Sequence, residues 1–195
     1  AKKALSQKPD LIITVDNGIA SLEGVEYARA HNVDVIITDH HLPGDTLPNA
    51  NFIINPNQRD CHFPSKNLCG VGVIFYLLIA MKSEAIRRNI FNQNDAPRLS
   101  DLLDIVCLGT IADLVKLDFN NRLLVKFGMQ IIRSGEGNFG IKAITQLSKR
   151  QLKNLKTSDL SFVIAPKLNA AGRLDDMEDL GDVLHLFLLI LDRPE

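Results

Sequence analysis

Two short strings of this sequence repeat each other, Asp10-Leu11-Ile12-Ile13-Thr14 and Asp34-Val35-Ile36-Ile37-Thr38. Each is apolar and largely β-branched, and each runs on into an acid, Asp16 in the first and Asp39 in the second. Runs of this kind, bounded by turn signals, read as strands, so strands are predicted at 11–15 and 33–38. Between them Ile19, Leu22, Val25 and Ala28 fall at helical spacing, which predicts a helix over 19–30 capped by Asn17 or Ser21. Strand, helix and strand form a βαβ unit, whose strands are parallel with a right-handed crossover. Asn17-Gly18 is also a hairpin signal, but the helical pattern after it favours the crossover. Neighbouring parallel strands bring Asp16 and Asp39-His40-His41 to one carboxyl edge, where open α/β sheets place their sites. A carboxylate and two imidazoles there offer oxygen and nitrogen donors suited to a divalent transition metal.

Composition narrows the class. A chain of 195 residues, 46% hydrophobic, can bury a substantial core. Its net charge of -1 shows no overall basic field. Cys61, Cys69 and Cys107 are odd in number and lack CxxC spacing, which argues against a disulfide framework or a cysteine zinc site and for a reducing cytoplasm. No signal peptide opens the chain, and the most apolar run, 183–191, is too short to span a bilayer, so no membrane partner is expected. Ala1-Lys2-Lys3-Ala4-Leu5 reads as the tail of a helix, and the chain is expected to be a piece of something longer.

Further along, Phe52-Ile53-Ile54 is a third strand, closed by Asn55-Pro56. A polar loop over 57–67 holds Arg59, Cys61, His62 and Lys66, with His62 read as a loop residue. Gly70 and Gly72 open an apolar helix that runs to about residue 81, and they permit close backbone packing or approach to an anion. Neither GxxxxGK[ST] nor GxGxxG occurs, so no nucleotide fingerprint is present. Residues 87–97 read as a loop. A helix over 102–113, capped by Ser100 or Asp101, carries two acids. Asp113 lies within an apolar stretch, where a buried carboxylate needs a partner or a metal. Asp104 lies near the opposite helix face and reads as a solvated acid. Helices are predicted over 120–132 and 141–147. Lys142, Lys149, Arg150, Lys153 and Lys156 form a basic cluster, read as a solvated face. A further helix runs over 157–164, and Pro166 to Arg173 reads as irregular, with Asn169 and Arg173 suited to phosphate.

Four motifs together carry a family likeness. Thr14-Val15-Asp16-Asn17-Gly18, Thr38-Asp39-His40-His41, Gly109-Thr110-Ile111-Ala112-Asp113 and Leu168-Asn169-Ala170-Ala171-Gly172-Arg173 occur in the order that resembles the DHH-family phosphoesterases. The resemblance runs from Leu11 to about Met177. It implies an α/β fold, a parallel-sheet domain with helices on both faces, present in part. Residues 1–176 would be a partial catalytic domain and 177–195 a helical connector or divergent end. It also implies a two-metal site for Mn2+ or Mg2+. Asp16 would bridge the metals, and His40 and Asp113 would bind the second. Asp39 would orient the cluster, His41 would contact the scissile phosphate, and Asn169 and Arg173 would hold the substrate. The family's first motif, a cluster of aspartates on an earlier strand, is absent. Lys167 stands where relatives usually carry Arg, and Lys116 replaces a usual proline.

The likeness is strongest to the family branch that hydrolyses single-stranded DNA from its 5′ end in repair and recombination, with single-strand-binding protein and a helicase as partners. With half the ligand set, the isolated chain is expected to be inactive. The alternatives are a DHH hydrolase of short oligonucleotides, cyclic dinucleotides or pyrophosphate, and a non-enzymatic scaffold of the same fold.

Overall fold

The computed structural model describes residues 1–171. They divide into two compact units, Ala1–Leu99 with Val115–Asn121, and the chain from Ser100 to Leu114 with that from Arg122 onward. Among the described residues no helix is long and apolar enough to cross a membrane.

The first unit opens with a short helix, α1 (Lys2–Leu5), and is built on a sheet of β1 (Leu11–Val15), β2 (Asp34–Thr38) and β3 (Phe52–Ile54). The order is β1-β2-β3 and both pairings are parallel, with Leu11 opposite Asp34 and Ile36 opposite Phe52. The crossover between the repeated strings is α2 (Leu22–Ala30), so the hairpin alternative at Asn17-Gly18 is excluded. Val25 and Ala28 of α2 close over Val35 and Ile37, forming one core. On the opposite face Ile54 shares an apolar groove with Leu68, Val73 and Tyr76, the last two from α3 (Gly70–Arg87). The sheet therefore carries a helix on each side, while Leu11, Ile13 and Val15 of the edge strand stay exposed.

Several boundaries differ from the sequence expectation. α2 starts at Leu22 rather than Ile19, and the Ile19 N–H donates to the Asp39 carboxylate at 2.9 Å in the turn before it. α3 continues to Arg87, beyond the predicted end near Met81. The predicted cap at Ser100 or Asp101 is replaced by a 3₁₀ turn, Leu99–Leu102, that leads into α4 (Leu103–Ala112). Within the first unit, residues 115–121 are stitched to the 65–67 loop. Asp118 accepts from Ser65 Oγ at 2.7 Å and Asn67 Nδ2 at 3.1 Å, and buried Asn121 donates to the Asn67 and Lys116 carbonyls.

The second unit is helical: α4, α5 (Phe119–Ser134, whose first turn belongs to the first unit), α6 (Phe139–Leu147), then a continuous stretch over 157–171. That stretch comprises α7 (Thr157–Asp159), a π-helical Leu160–Ile164 and α8 (Ala165–Ala171). The predicted irregular segment at Pro166 is thus helical as far as Ala171. Proline lacks an N–H and its ring crowds the preceding turn. The wide π turn just before Pro166 absorbs both problems. Leu160 and Ile164 of that turn join Cys107, Val125, Met129 and Ile141 in the unit's core.

The two acids of α4 reverse their predicted environments. Asp104 is 1% exposed and accepts the Asn138 N–H at 2.5 Å. Asp113 is exposed at the helix C-cap, followed by Leu114 at φ +55°. α4 is apolar almost all round, so it has no solvent face for Asp104 to occupy. The helix ends at Ala112, which carries Asp113 out of the apolar stretch.

Candidate metal centre

The parallel register delivers the first two motifs to one rim. β1 ends at Val15 and β2 at Thr38, which are paired, so Asp16 and Asp39 follow from adjacent strand ends. The ladder extends one step further, because the Asp16 N–H donates to the Thr38 carbonyl at 3.0 Å and the Thr38 hydroxyl to the Thr14 carbonyl at 2.7 Å. Asp16 then turns at φ +65°. A non-glycine residue in the left-handed region is uncommon, and such strain concentrates at functional sites.

Asp39 is the anchor. It is 1% exposed and accepts from four donors: Ile19 N–H at 2.9 Å, His40 N–H at 2.7 Å, His41 N–H at 3.1 Å and His41 Nδ1 at 2.7 Å. Burial pushes its pKa up, but the hydrogen bonds from Ile19, His41 and His40 outweigh it and hold the carboxyl below its ordinary value. Asp39 therefore stays ionised and fixes both the backbone and the ring of His41. With an ionised acceptor at Nδ1, that nitrogen carries the proton, and Nε2 is the nitrogen that can act on a ligand.

His40 is folded inward, with its side chain 13% exposed, and its Nε2 lies 3.0 Å from Asp16 Oδ1. The His41 side chain is 60% exposed, and the two rings meet at 4.4 Å between centroids. Asp16, His40 and His41 each present a ligand atom within 4.8 Å of the others. One carboxylate and two imidazoles fit a divalent ion such as Mn2+. The Asp39 bond to His41 fixes that ring beside the Asp16–His40 pair.

Two residues that the sequence reading passed over hold this loop from below. Asn55 Nδ2 donates to the His41 carbonyl at 2.9 Å, and Asn57 Nδ2 to the His40 carbonyl at 2.6 Å. The Asn-Pro-Asn string after β3 was the available signal, since asparagine both turns a chain and binds backbone. Of the other predicted site residues, Asp113 and Asn169 belong to the second unit, both exposed, and Arg173 lies outside the described residues.

Comparison with known proteins follows the same line. Residues 1–110 match the DHH family, N-terminal domain. The chain is 54% identical over 177 residues to the single-stranded-DNA-specific exonuclease RecJ of Escherichia coli, covering 90% of this chain and 31% of that protein. Its fold matches RecJ from Thermus thermophilus in complex with Mn2+ at a TM-score of 0.75, with 30% identity, over 99% of this chain and 26% of that one. It matches a second exonuclease RecJ, bound to manganese, at 0.73 with 28% identity, over 97% and 48% of the two chains. The chain thus spans about a third of the length of the E. coli relative. With the family's domain matching more than half of its residues and the DHH triplet at the rim of its parallel sheet, this chain belongs to the DHH family.

Proposed function

We propose that this chain is the metal-binding part of a hydrolase that degrades single-stranded DNA from the 5′ end and depends on Mn2+ or Mg2+. The observation that carries the proposal is the Asp16–His40–His41 cluster at the sheet rim with buried Asp39 beneath it. The names of the relatives support the substrate, and the manganese in two structural neighbours supports the cofactor. The resemblance further assigns the enzyme to DNA repair and recombination in the cytoplasm, beside single-strand-binding protein and a helicase.

Each residue has a defined task. Asp16 offers two oxygens for sharing, and His40 offers a ring nitrogen held close to Asp16 Oδ1. His41, oriented by Asp39 and open to solvent, contacts the scissile phosphate. A divalent ion, when bound, lowers the pKa of a water and offsets charge on the phosphodiester. Asp113, Asn169 and Arg173 keep the roles their motifs imply, a metal ligand and two substrate contacts. An acid at the C-terminal end of α4 is opposed by the helix dipole, which a cation relieves.

The test uses the full-length gene product on a 5′-phosphorylated, 3′-labelled single strand with Mn2+. Shortening from the 5′ end is expected, with duplex DNA resistant. His40→Ala is expected to lower the rate by about 100-fold or more, as removal of a metal ligand does. A wild-type enzyme that cleaves dinucleotides but leaves long strands intact overturns the proposal.

A further inference from the structure

We propose that Gly70, the first residue of α3, is a positioning residue for Asp16: only a residue without a side chain there lets the Asp16 carboxylate sit beside His40. The inference deepens the metal-centre reading and rests on it. A Cβ built on Gly70 would lie 2.2 Å from Asp16 Oδ1, 2.4 Å from its Cβ and 2.5 Å from its Cγ. Those separations are far inside van der Waals contact, so one partner must move. Oδ1 is also the oxygen 3.0 Å from His40 Nε2. The atom that a side chain at position 70 would strike is the atom that faces the imidazole.

Neither partner has an easy retreat. The Asp16 backbone is held by its N–H on the Thr38 carbonyl, and Thr14 Oγ1 pins the next residue by donating to the Asn17 carbonyl at 2.7 Å. Asp16 already sits at φ +65°, where little backbone freedom remains. On the other side, Leu68, Cys69, Gly72 and Val73 around the start of α3 are all buried, and the Val73 N–H bonds the Cys69 carbonyl at 3.0 Å. The placement is also electrostatically favourable. α3 has 18 residues, and a carboxylate is stabilised at the positive end of such a helix.

Gly72 supplies the matched control. It lies in the same helical turn, but the atoms nearest a Cβ there belong to the Leu68 and Cys69 side chains, at 3.3 Å or more. The experiment compares full-length wild type, Gly70→Ala and Gly72→Ala. Mn2+ alone is titrated and followed by the electron paramagnetic resonance signal of the free ion, alongside melting temperatures without metal. Gly70→Ala is expected to weaken Mn2+ binding by about tenfold or more, the scale of losing support around a metal ligand, and Gly72→Ala to stay within about twofold. Equal affinity in wild type and Gly70→Ala overturns the proposal.

Should Gly70→Ala melt too low to titrate, the pair Asp16→Gly and Asp16→Gly/Gly70→Ala decides. Removing the Asp16 side chain removes the clash, so the double variant is expected to match the melting temperature of Asp16→Gly. A double variant as unstable as Gly70→Ala overturns the proposal. A wild-type protein that holds no Mn2+ overturns the metal-centre reading instead, and the same stability pair still decides the Asp16–Gly70 contact.

Discussion

Asp16 in the first unit and Asp104 in the second are packed by the same device and serve opposite ends. Each carboxylate lies against a glycine at the approach to a helix. A Cβ on Gly70 would come within 2.2 Å of Asp16, and one on Gly137 within 2.7 Å of Asp104. Asp104 is 1% exposed, and its Oδ2 is satisfied by the Asn138 N–H, which closes the turn before α6. The Asp16 side chain is 57% exposed, and its Oδ1 faces an imidazole. Burial therefore does not separate the structural acid from the chemical one. Asp39 is as deeply buried as Asp104, yet it spends one bond on a side chain of the cluster. The partner distinguishes them: backbone alone for Asp104, an imidazole for Asp16 and Asp39.

The sharpest way to break this comparison is to replace each of the two buried acids by its amide. Asp39→Asn removes the charge that orders His41 and turns an acceptor into a donor beside three N–H groups. Mn2+ affinity and nuclease rate of the full-length protein are expected to fall by about 10- to 100-fold. Asp104→Asn is expected to cost about 1–3 kcal/mol of stability, because its amide NH2 must face one of the N–H groups of Ile105 and Asn138. Its Mn2+ affinity per folded molecule should equal that of wild type. Denaturant titration beside Mn2+ titration reads both quantities. An Asp104→Asn protein of wild-type stability that has lost metal would reverse the assignment.

Next in size is Gly137→Ala, the counterpart of Gly70→Ala in the second unit. It forces a methyl group towards the Asp104 carboxylate, and overpacking of this kind costs about 1–3 kcal/mol. Stability is expected to drop with no change in Mn2+ binding. A loss of metal affinity in the folded protein would mean that the glycine contacts do not divide as structural and chemical.

Acid pH sharpens the comparison from the side of the first unit. Burial raises the pKa of both Asp39 and Asp118, but hydrogen bonds outweigh it. Those bonds come from Ile19, His41 and His40 for Asp39, and from Asn121, Ser65, Asn67 and Asn120 for Asp118. Both folded values thus lie below the ordinary carboxylate value. A depressed folded pKa contributes stability above the unfolded pKa, and this is lost as pH falls through the folded one. Stability of the first unit is expected to fall below about pH 4, the ordinary range of an unfolded Asp. The fall should be shallower in Asp39→Asn and in Asp118→Asn than in wild type, read from melting temperatures across pH 2–6. Parallel curves for all three proteins would exclude these two acids as its source.

Much of the rim was legible because short-range patterns control it. Repeated β-branched strings with a helical spacer force parallel strands, and parallel strands force Asp16 and Asp39-His40-His41 to one edge. What escaped depends on contacts remote in sequence. The Ile19 N–H is bound by Asp39, twenty residues on. Asp104 is buried because a turn thirty-four residues away presents its N–H. Asn55 and Asn57 look like ordinary turn residues until the strand order sets them under His40 and His41. Pro166 reads as a helix breaker, since no local rule announces that a π turn precedes it.

The smallest effect expected concerns the other half of the Asp104 turn. Asn138 caps α6 with its side-chain oxygen, which accepts the Gly140 N–H at 2.8 Å and the Ile141 N–H at 3.4 Å, while its own N–H goes to Asp104. Asn138→Ala removes the cap and keeps the backbone donor, so a loss of about 1 kcal/mol is expected, and Asn138→Ser should restore most of it. The cap and the Asp104 bond share one turn and should not be independent. Once Asp104→Asn has loosened that turn, the cap has less ordered backbone to hold. Asn138→Ala in that background is expected to cost less than it does alone, by about 0.5 kcal/mol or more, as coupled neighbours do. Strict additivity in denaturant titrations of the four proteins would show that the buried carboxylate and the helix cap act separately, and that Asp104 does something other than close this turn.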